Sequence, residues 1–470
     1  MKELWAHQKE GIKRAVAQNY YAFFFDVGTG KTRTFIETAK IIFNRHERLL
    51  PTIIISPVIT LNNWKKELQL YSKLTEDHIC VLKGSGDFKA KQAEAACAKN
   101  QIIITNYESL LNDKLHKIFI SYLKNTGMLV CDESHYVKSP TSKRTKKVME
   151  LAKVSTYRYL LSGTPILNNA EDIWSQAFIL DLGKRFQEKF HHFKSLYFED
   201  KNSGWKSSSK HFPNWQPKKS SLIFFEKMLS EISMSVKKSE CLDLPPFIRS
   251  SYEVEMSAEQ MKHYKAVKED FISYVTDEAA CVASIAIVKA LRLQEIASGY
   301  ISLDTKEIVE FKNNPRLDTL QELIELHSPQ HKIIVWSCFK QNHQMIASLL
   351  NKLKIEYVFL TGSESQQQKF DNMEKFSTDS KVRVCIGSQA TGIGVNLIES
   401  SMSIYYARNF NLGHDIQSEA RNFRAGSEIH EAVYRIDLVA KNSLDAQVLL
   451  ALENKKQIGA EIIRDFVLNN

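Results

Sequence analysis

Two clusters of polar residues in this chain have the types and spacing to handle a nucleotide. The first is Asp26-Val27-Gly28-Thr29-Gly30-Lys31-Thr32, which follows the apolar run Tyr21 to Phe25 and precedes a helical pattern. Glycines let a backbone wrap an anion so that its amide N–H groups point inward at phosphate oxygens. In such a loop Lys31 reaches the β and γ phosphates, and the Thr32 hydroxyl is placed for magnesium. The usual spacing has a further glycine five residues before Gly30, where this chain carries Phe25. The second feature of this first half is Asp132-Glu133-Ser134-His135, directly after the apolar run Met128 to Cys131. Parallel sheets place ligand chemistry at the C-terminal ends of their strands. Asp132 is therefore expected to hold magnesium, directly or through water, and Glu133 to orient and polarise the attacking water. The other cluster is QSEARNFR near the C-terminus, where Gln417, Arg421 and Arg424 are spaced by four and three. That spacing predicts one helical face. A phosphate cradle in one half and an arginine pair in the other predict an ATP site at a domain interface, whose closing can drive a motor.

Such side chains need rigid elements behind them. Tyr21 to Phe25, Thr52 to Ser56, Gln101 to Thr105, Met128 to Cys131 and Arg158 to Leu161 read as buried parallel strands, each followed by polar loop residues and a helical pattern. The last third repeats the style at Lys332 to Ser337, Tyr357 to Thr361, Val382 to Gly387, Ser403 to Ala407 and Val433 to Val439. Two open α/β sheets follow from this alternation. Residues 184–221 are rich in Lys, Ser and aromatics and read as a loop or irregular insertion. From 222 to 300 the pattern is helical, broken by LPPF at 244–247. The expected domains are 1–183, a middle region over 184–305, and 306–470.

A chain of 470 residues is too long for one ordinary core, so two or three domains are expected. Lys plus Arg number 63 against 54 Asp plus Glu, a net charge of +9. That surplus fits a polyanionic partner and equally a solvated basic surface. Seven scattered cysteines with no CxxC pair point away from a disulfide framework or zinc site and fit a reducing compartment. The N-terminal stretch MKELWAHQKEGIKR is amphipathic, unlike a signal peptide, and no apolar run is long enough to cross a bilayer. A cytoplasmic or nucleoid location is expected, in the host cytoplasm for a phage-encoded chain.

In their order, DVGTGKT, DESH, LSGTP and QxxxRxxR resemble the superfamily-two helicases, and the details resemble the Swi/Snf-type branch. Ile55-Ser56-Pro57 with Asn63 to Glu67, Thr105 to Glu108, Ser162 to Asn169 followed by Trp174, Leu291 to Leu293, Gly392 to Leu397 and Val433 to Arg435 extend the likeness over roughly residues 4 to 440, with a weaker middle. The resemblance implies two RecA-like parallel-sheet domains, use of ATP and magnesium, and DNA as partner. It implies that Gln8 reads adenine, although an amphipathic helix would place a surface glutamine there equally well. It implies that His135 and Ser162, Gly163 and Thr164 couple nucleotide state to motion; Gly-Thr-Pro is also a tight-turn signal. Arg421 and Arg424 would meet the γ-phosphate, a task that suits a permanent charge with a planar fork. Gly394 and Gln417 would add nucleotide contacts. Ser56, Pro57, Asn63, Lys65, Thr105 and Asn106, with Ser388, Gln389 and Thr391, match motifs implied to line the nucleic-acid track. Contacts of that kind go mostly to backbone, so affinity should depend on salt and weakly on sequence. Three departures leave substrate preference open: Arg408-Asn409-Phe410 for the usual Trp-Asn-Pro, Thr391 for a glycine and Ser427 for a glutamine.

The insertion interleaves Trp205, Lys206, Lys210, His211, Phe212, Trp215, Lys218 and Lys219. Basic and aromatic residues together can hold phosphates and stack on unpaired bases, as a wedge or junction-binding element would. The other reading is a loop whose aromatics pack locally. The expected function is an ATP-dependent DNA translocase or helicase, a nucleic-acid-stimulated ATPase acting as a monomer on branched or forked DNA in replication, recombination or repair. Alternatives are duplex translocation without strand separation, an RNA-dependent helicase, and an ATP-switched binding module. The intact Lys31, Glu133 and Arg424 argue against the last. With no reader domain in the sequence, a large chromatin-remodelling subunit is not expected.

Overall fold

Runs of β-branched and aromatic residues bounded by polar turns form strands where the pattern predicts them. The structure, a computed structural model, describes residues 3–163, 171–202, 215–241, 243–277, 283–303, 307–390 and 396–453. The chain divides between residues 242 and 243 into two compact units.

The first unit contains strands β1 (Tyr20–Phe25), β2 (Thr52–Ile55), β3 (Ile79–Val81), β4 (Ile102–Thr105), β5 (Met128–Asp132) and β6 (Tyr157–Leu161), an antiparallel pair β7 (Phe198–Asp200) and β8 (Trp215–Pro217), and β9 (Ser233–Val236). Seven of these form one parallel sheet in the order β3-β4-β2-β5-β6-β1-β9. Side chains alternate across a strand, so each strand feeds two cores. Ala22, Phe24, Ile53, Ile55, Leu129, Cys131 and Leu160 face one, together with helix residues Leu115, Phe119, Val148 and Leu151. Tyr21, Phe23, Phe25, Ile54, Val130, Tyr159 and Leu161 face the other, against Phe35, Ile36, Trp64 and Leu68. Helices α1 (Ala6–Val16), α2 (Lys31–His46) and α3 (Leu61–Tyr71) run on this second side.

The second unit holds β10 (Phe247–Val254), an antiparallel pair β11 (Tyr300–Ser302) and β12 (Ile308–Glu310), then β13 (Ile333–Ser337), β14 (Glu356–Leu360), β15 (Val382–Ser388), β16 (Met402–Tyr405) and β17 (Val433–Ala440). Six form a parallel sheet in the order β10-β17-β16-β13-β15-β14. Ile333, Val335, Val384, Ile386, Ile404, Ile436 and Leu438 cover one face with Leu320, Ile324, Ile346 and Leu350.

Three sheet strands, β3, β9 and β10, were not expected. Each is a sheet edge: β9 and β10 carry polar residues among the apolar ones, and β3 is apolar but only three residues long. The stretch 184–305 is shared between the units, with β9 completing one sheet and β10 edging the other. Within 184–221 the expected loop instead contains the helix Phe190–Tyr197 and the β7–β8 pair. The physical reason is aromatic burial: Phe186, Phe193 and Phe225 form edge and stacked contacts inside the first core, and Phe198 packs tilted against Phe193 and Phe225.

Burial pushes His116, His331, His343 and His414 below the ordinary histidine range. The folded chain keeps these rings neutral where the unfolded chain takes up protons. Stability should then fall as pH drops from about 6.5 through their folded values. Asp26 and Asp132, raised by burial, work in the opposite sense at pH values nearer the ordinary carboxylate range. A lower thermal midpoint in mildly acidic than in neutral buffer is expected; equal midpoints would refute the assignment.

Candidate functional site

The phosphate-loop sequence begins where β1 ends. The Asp26 N–H donates to Val236 O at 2.9 Å, and the Asp26 carboxylate accepts the Lys238 N–H at 3.0 Å, so β9 fixes the loop's entry. Burial raises the Asp26 carboxyl, partly offset by that Lys238 bond. Phe25, in place of the usual glycine, is a buried core ring, so the loop starts one residue later. Gly28 and Gly30 have φ of 91° and 81°, left-handed values that a side chain would strain. A Cβ on Gly30 would also lie 2.2 Å from Gln8 Nε2. The Thr29 hydroxyl closes the turn on Asp26 O at 2.8 Å. Helix α2 starts at Lys31, directing the N–H groups of its first turn and its positive dipole end at the loop.

Helix α1 braces this loop from outside. Gln8 is 2% exposed; it accepts the Trp5 N–H at 2.9 Å and donates to Gly30 O at 3.2 Å. His7 Nε2 donates to Thr29 O at 2.9 Å. Gln8 is thus part of the loop's support, which the surface-glutamine reading did not anticipate.

The acidic pair closes β5. Asp132 Oδ2 accepts from Ser56 Oγ and Trp64 Nε1, both at 2.8 Å, and Oδ1 accepts the Glu133 N–H at 3.0 Å. The Tyr107 hydroxyl donates to the Asp132 carbonyl at 2.6 Å. Burial, then the Glu133 charge, push the Asp132 carboxyl up, while Lys31 and the two donors pull it back. Glu133 has a φ of 50°, a left-handed value uncommon for a side-chain-bearing residue and frequent at working sites. Its carboxylate lies 3.5 Å from Lys31 Nζ and 3.4 Å from His135 Nδ1, all three side chains being largely buried. His135 Nδ1 is also 3.4 Å from Ser162 Oγ. A polar chain therefore runs Lys31–Glu133–His135–Ser162 across the ends of β1, β5 and β6. A Cβ on Gly163 would lie 3.3 Å from Phe25 O and 3.4 Å from Val27 N, which places this turn against the loop.

Several expected track residues lie elsewhere. Ser56 and Thr105 are fully buried, and Ser56 serves Asp132, so neither offers a surface. Pro57 is buried too. Asn106 is held by Lys89 at 2.8 Å and bonds Glu108 at 2.9 Å. Asn63 is exposed, and Lys65 pairs with Glu76 at 2.5 Å. Trp215 carries Lys194 Nζ 4.7 Å over its ring and packs on the first core, favouring local packing for that residue. In the second unit Ser388 ends β15 half-buried, and Gln389 is buried. Thr164, Trp205, Lys206, Lys210, Thr391 and Gly394 lie outside the described residues.

The predicted helical face of Gln417, Arg421 and Arg424 does not form as one face. The helix Leu412–Glu419 contains Gln417 but stops before both arginines. The Arg421 N–H turns to Ser418 O at 3.2 Å, off the i,i+4 ladder, and Arg421 O accepts the distant Leu397 N–H at 3.0 Å. Arg421 Nε still reaches back to Gln417 O at 2.7 Å. Behind this helix Arg435 bonds Asp415 and Glu419, each at 2.6 Å, and lies 3.3 Å from Asp437.

Sequence reasoning missed Trp64, Tyr107 and Ser56 as partners of Asp132, and His7 and Lys238 as supports of the loop. Trp64 and Ser56 stood inside recognised motifs; nothing in one sequence told which carboxylate they would meet.

A phosphate-type loop opening a helix, beside an acidic pair at a neighbouring strand end, defines a nucleotide-binding α/β protein. The model of the SNF2-related domain matches residues 7–295, and that of the helicase conserved C-terminal domain residues 315–426. The chain belongs to the SNF2-related domain family. It is similar to an uncharacterized ATP-dependent helicase of Mycoplasma genitalium, 26% identical over 466 residues that cover 96% of this chain and 41% of that protein. Chromodomain-helicase-DNA-binding protein 1 of Homo sapiens is 22% identical over 466 residues, 93% of this chain and 25% of that protein. The chain thus spans well under half the length of these two curated relatives. Among solved structures, the Sulfolobus solfataricus SWI2/SNF2 ATPase core in complex with dsDNA aligns over 98% of this chain and 93% of that one, at 24% identity and a TM-score of 0.44.

Proposed function

We propose that the chain is an ATP-dependent DNA translocase whose hydrolysis site is built on Lys31, Asp132 and Glu133. The observation that carries this reading is the contact of Lys31 with Glu133, beside a buried Asp132 whose Oδ2 is held by two donors. Lys31 would neutralise the β and γ phosphates above the α2 N-terminus. Glu133 would take the water's proton, and His135 would orient Glu133 and relay its state to Ser162. Oxygen donors and two adjacent buried carboxylates suit a hard divalent cation. Asp132 and the Thr32 hydroxyl would hold magnesium, which supplies charge against the phosphate oxygens. A net charge of +9 and the DNA-binding helicases among its relatives support DNA as the partner. Exposed Asn63 and its neighbour Lys65 offer donors for phosphates in the first unit. The basic-aromatic sequence around Trp205 supports a finer role on forks or branch points.

Phosphate release is measured with duplex DNA, forked DNA, a four-way junction and RNA, alongside strand displacement on the same DNAs. Stimulation by DNA and not by RNA is expected, strongest on branched forms. Equal stimulation by RNA would overturn the DNA reading. Absence of any stimulated release would revive a binding module. Trp205→Ala with unaltered branched-DNA activity would remove the wedge.

A further inference from the structure

Helix α3 has a wet side and a dry side within one turn. Asn62, Asn63 and Lys66 are exposed, while Trp64 between them is 2% exposed. The Trp64 ring packs edge-on against Phe35 at 5.9 Å. Phenylalanine would meet that packing need. A buried indole N–H requires an acceptor, and the acceptor here is Asp132 Oδ2 at 2.8 Å. Ser56, at the other end of the same segment, gives its hydroxyl to the same oxygen at 2.8 Å and lies 2.5 Å from Thr60 Oγ1. The β2–β5 ladder, with Ile55 opposite Cys131, brings Ser56 to that carboxylate. The segment from Ser56 to Trp64 is thus tied at both ends to one oxygen atom.

We infer that Ser56 and Trp64 are positioning residues that couple the DNA-facing turn of α3 to the magnesium-holding carboxylate of Asp132. The inference rests on the function proposed above and deepens it by naming how DNA is sensed within the first unit. Two donors on Oδ2 and the Glu133 N–H on Oδ1 fix the plane of the carboxylate that would hold the cation. A phosphate seated on Asn63 and Lys65 presses on a rigid helix, and the indole on its inner side carries that displacement to Asp132. Outer partners of a metal-holding carboxylate set both its orientation and its affinity. Ser56 and Trp64 then act on hydrolysis without touching nucleotide.

The test compares the full chain as wild type, Trp64→Phe, Ser56→Ala and the double variant, with Lys31→Ala as the nucleotide-site control. Magnesium dependence is read from equilibrium binding of a fluorescent ATP analogue, and coupling from the ratio of phosphate release with and without duplex DNA. DNA affinity and the thermal midpoint are measured in parallel. Trp64→Phe is expected to raise the magnesium midpoint by about tenfold and to lower the stimulation ratio several-fold, with DNA affinity unchanged. An unchanged ratio in the folded double variant overturns the coupling, whether or not the magnesium midpoint moves. Should Trp64→Phe fail to fold, Ser56→Ala, which removes a single oxygen atom, carries the same test. A wild type that hydrolyses ATP with DNA while Lys31→Ala does not leaves the functional reading standing when the coupling fails. A wild type without DNA stimulation overturns both.

Discussion

Glu133→Gln is expected to keep ATP bound and to cut turnover by about 10²–10⁴-fold, the range for loss of a general base. The amide has the shape of the carboxylate and can keep the left-handed backbone at this position, so the loop and Asp132 should be undisturbed. What it loses is the negative charge that faces Lys31 at 3.5 Å and His135 at 3.4 Å, and with it the capacity to accept a proton from water. Nucleotide binding, which the proposed site places on the cradle of Gly28 to Thr32, should persist. Equilibrium binding of a fluorescent ATP analogue, set beside steady-state phosphate release, separates the two. Retained turnover in the variant would reassign the water-activating residue, with His135 the next group to examine.

The second large effect concerns stability. Arg435→Met should lower the unfolding free energy of the second unit by about 3–5 kcal/mol, the cost of breaking a buried ion network by removing one partner. Arg435 is 2% exposed, bonds Asp415 and Glu419 at 2.6 Å, and lies 4.1 Å over the Tyr405 ring. Arg408 shares Asp415 and Asp437, and stacks 4.5 Å from the same ring. Arg249 also bonds Glu419. The two central arginines respond oppositely to one environment. Burial disfavours both charges, yet Tyr405, Asp415 and Glu419 push Arg435 up. Arg408, repelled by Arg435 as well as desolvated, falls to about 10 and stays protonated at neutral pH. Geometry agrees with this ordering, since Arg435 makes three carboxylate contacts and is the keystone. Methionine would fill the volume and leave three carboxylates short of a cation. Urea unfolding followed by circular dichroism should show a lower midpoint, with part of the loss recovered when Asp415→Asn is added. A midpoint equal to wild type would show the network to be energetically neutral. This cluster occupies the place where the family resemblance expects Trp-Asn-Pro, and it anchors the helix Leu412–Glu419 that leads to Arg421.

Local sequence determined what local physics controls. Inner strands such as Phe23 to Phe25 and Ile53 to Ile55 are legible because a strand buried on both faces must be apolar throughout. The phosphate loop is legible because its requirements are contiguous: left-handed glycines, then a helix N-terminus carrying Lys31. Asp132 and Glu133 are legible as candidate site residues because an acidic pair follows an apolar strand at its C-terminal end, where parallel sheets place ligands. Tertiary structure alone decided the partners. The sheet order sets β2 beside β5, though two strands intervene in the chain, and that adjacency delivers Ser56 and Trp64 to Asp132. It sets β9 beside β1, so that Val236 and Lys238, more than 200 residues away, hold Asp26. Gln417, Arg421 and Arg424 satisfied the helical spacing, yet the helix stops at Glu419: the Arg421 N–H turns to Ser418 O, and its carbonyl bonds the distant Leu397 N–H. A hydrogen bond between distant segments depends on strand order and register, which arise from the packing of the whole sheet and leave no trace in the spacing of neighbouring residues.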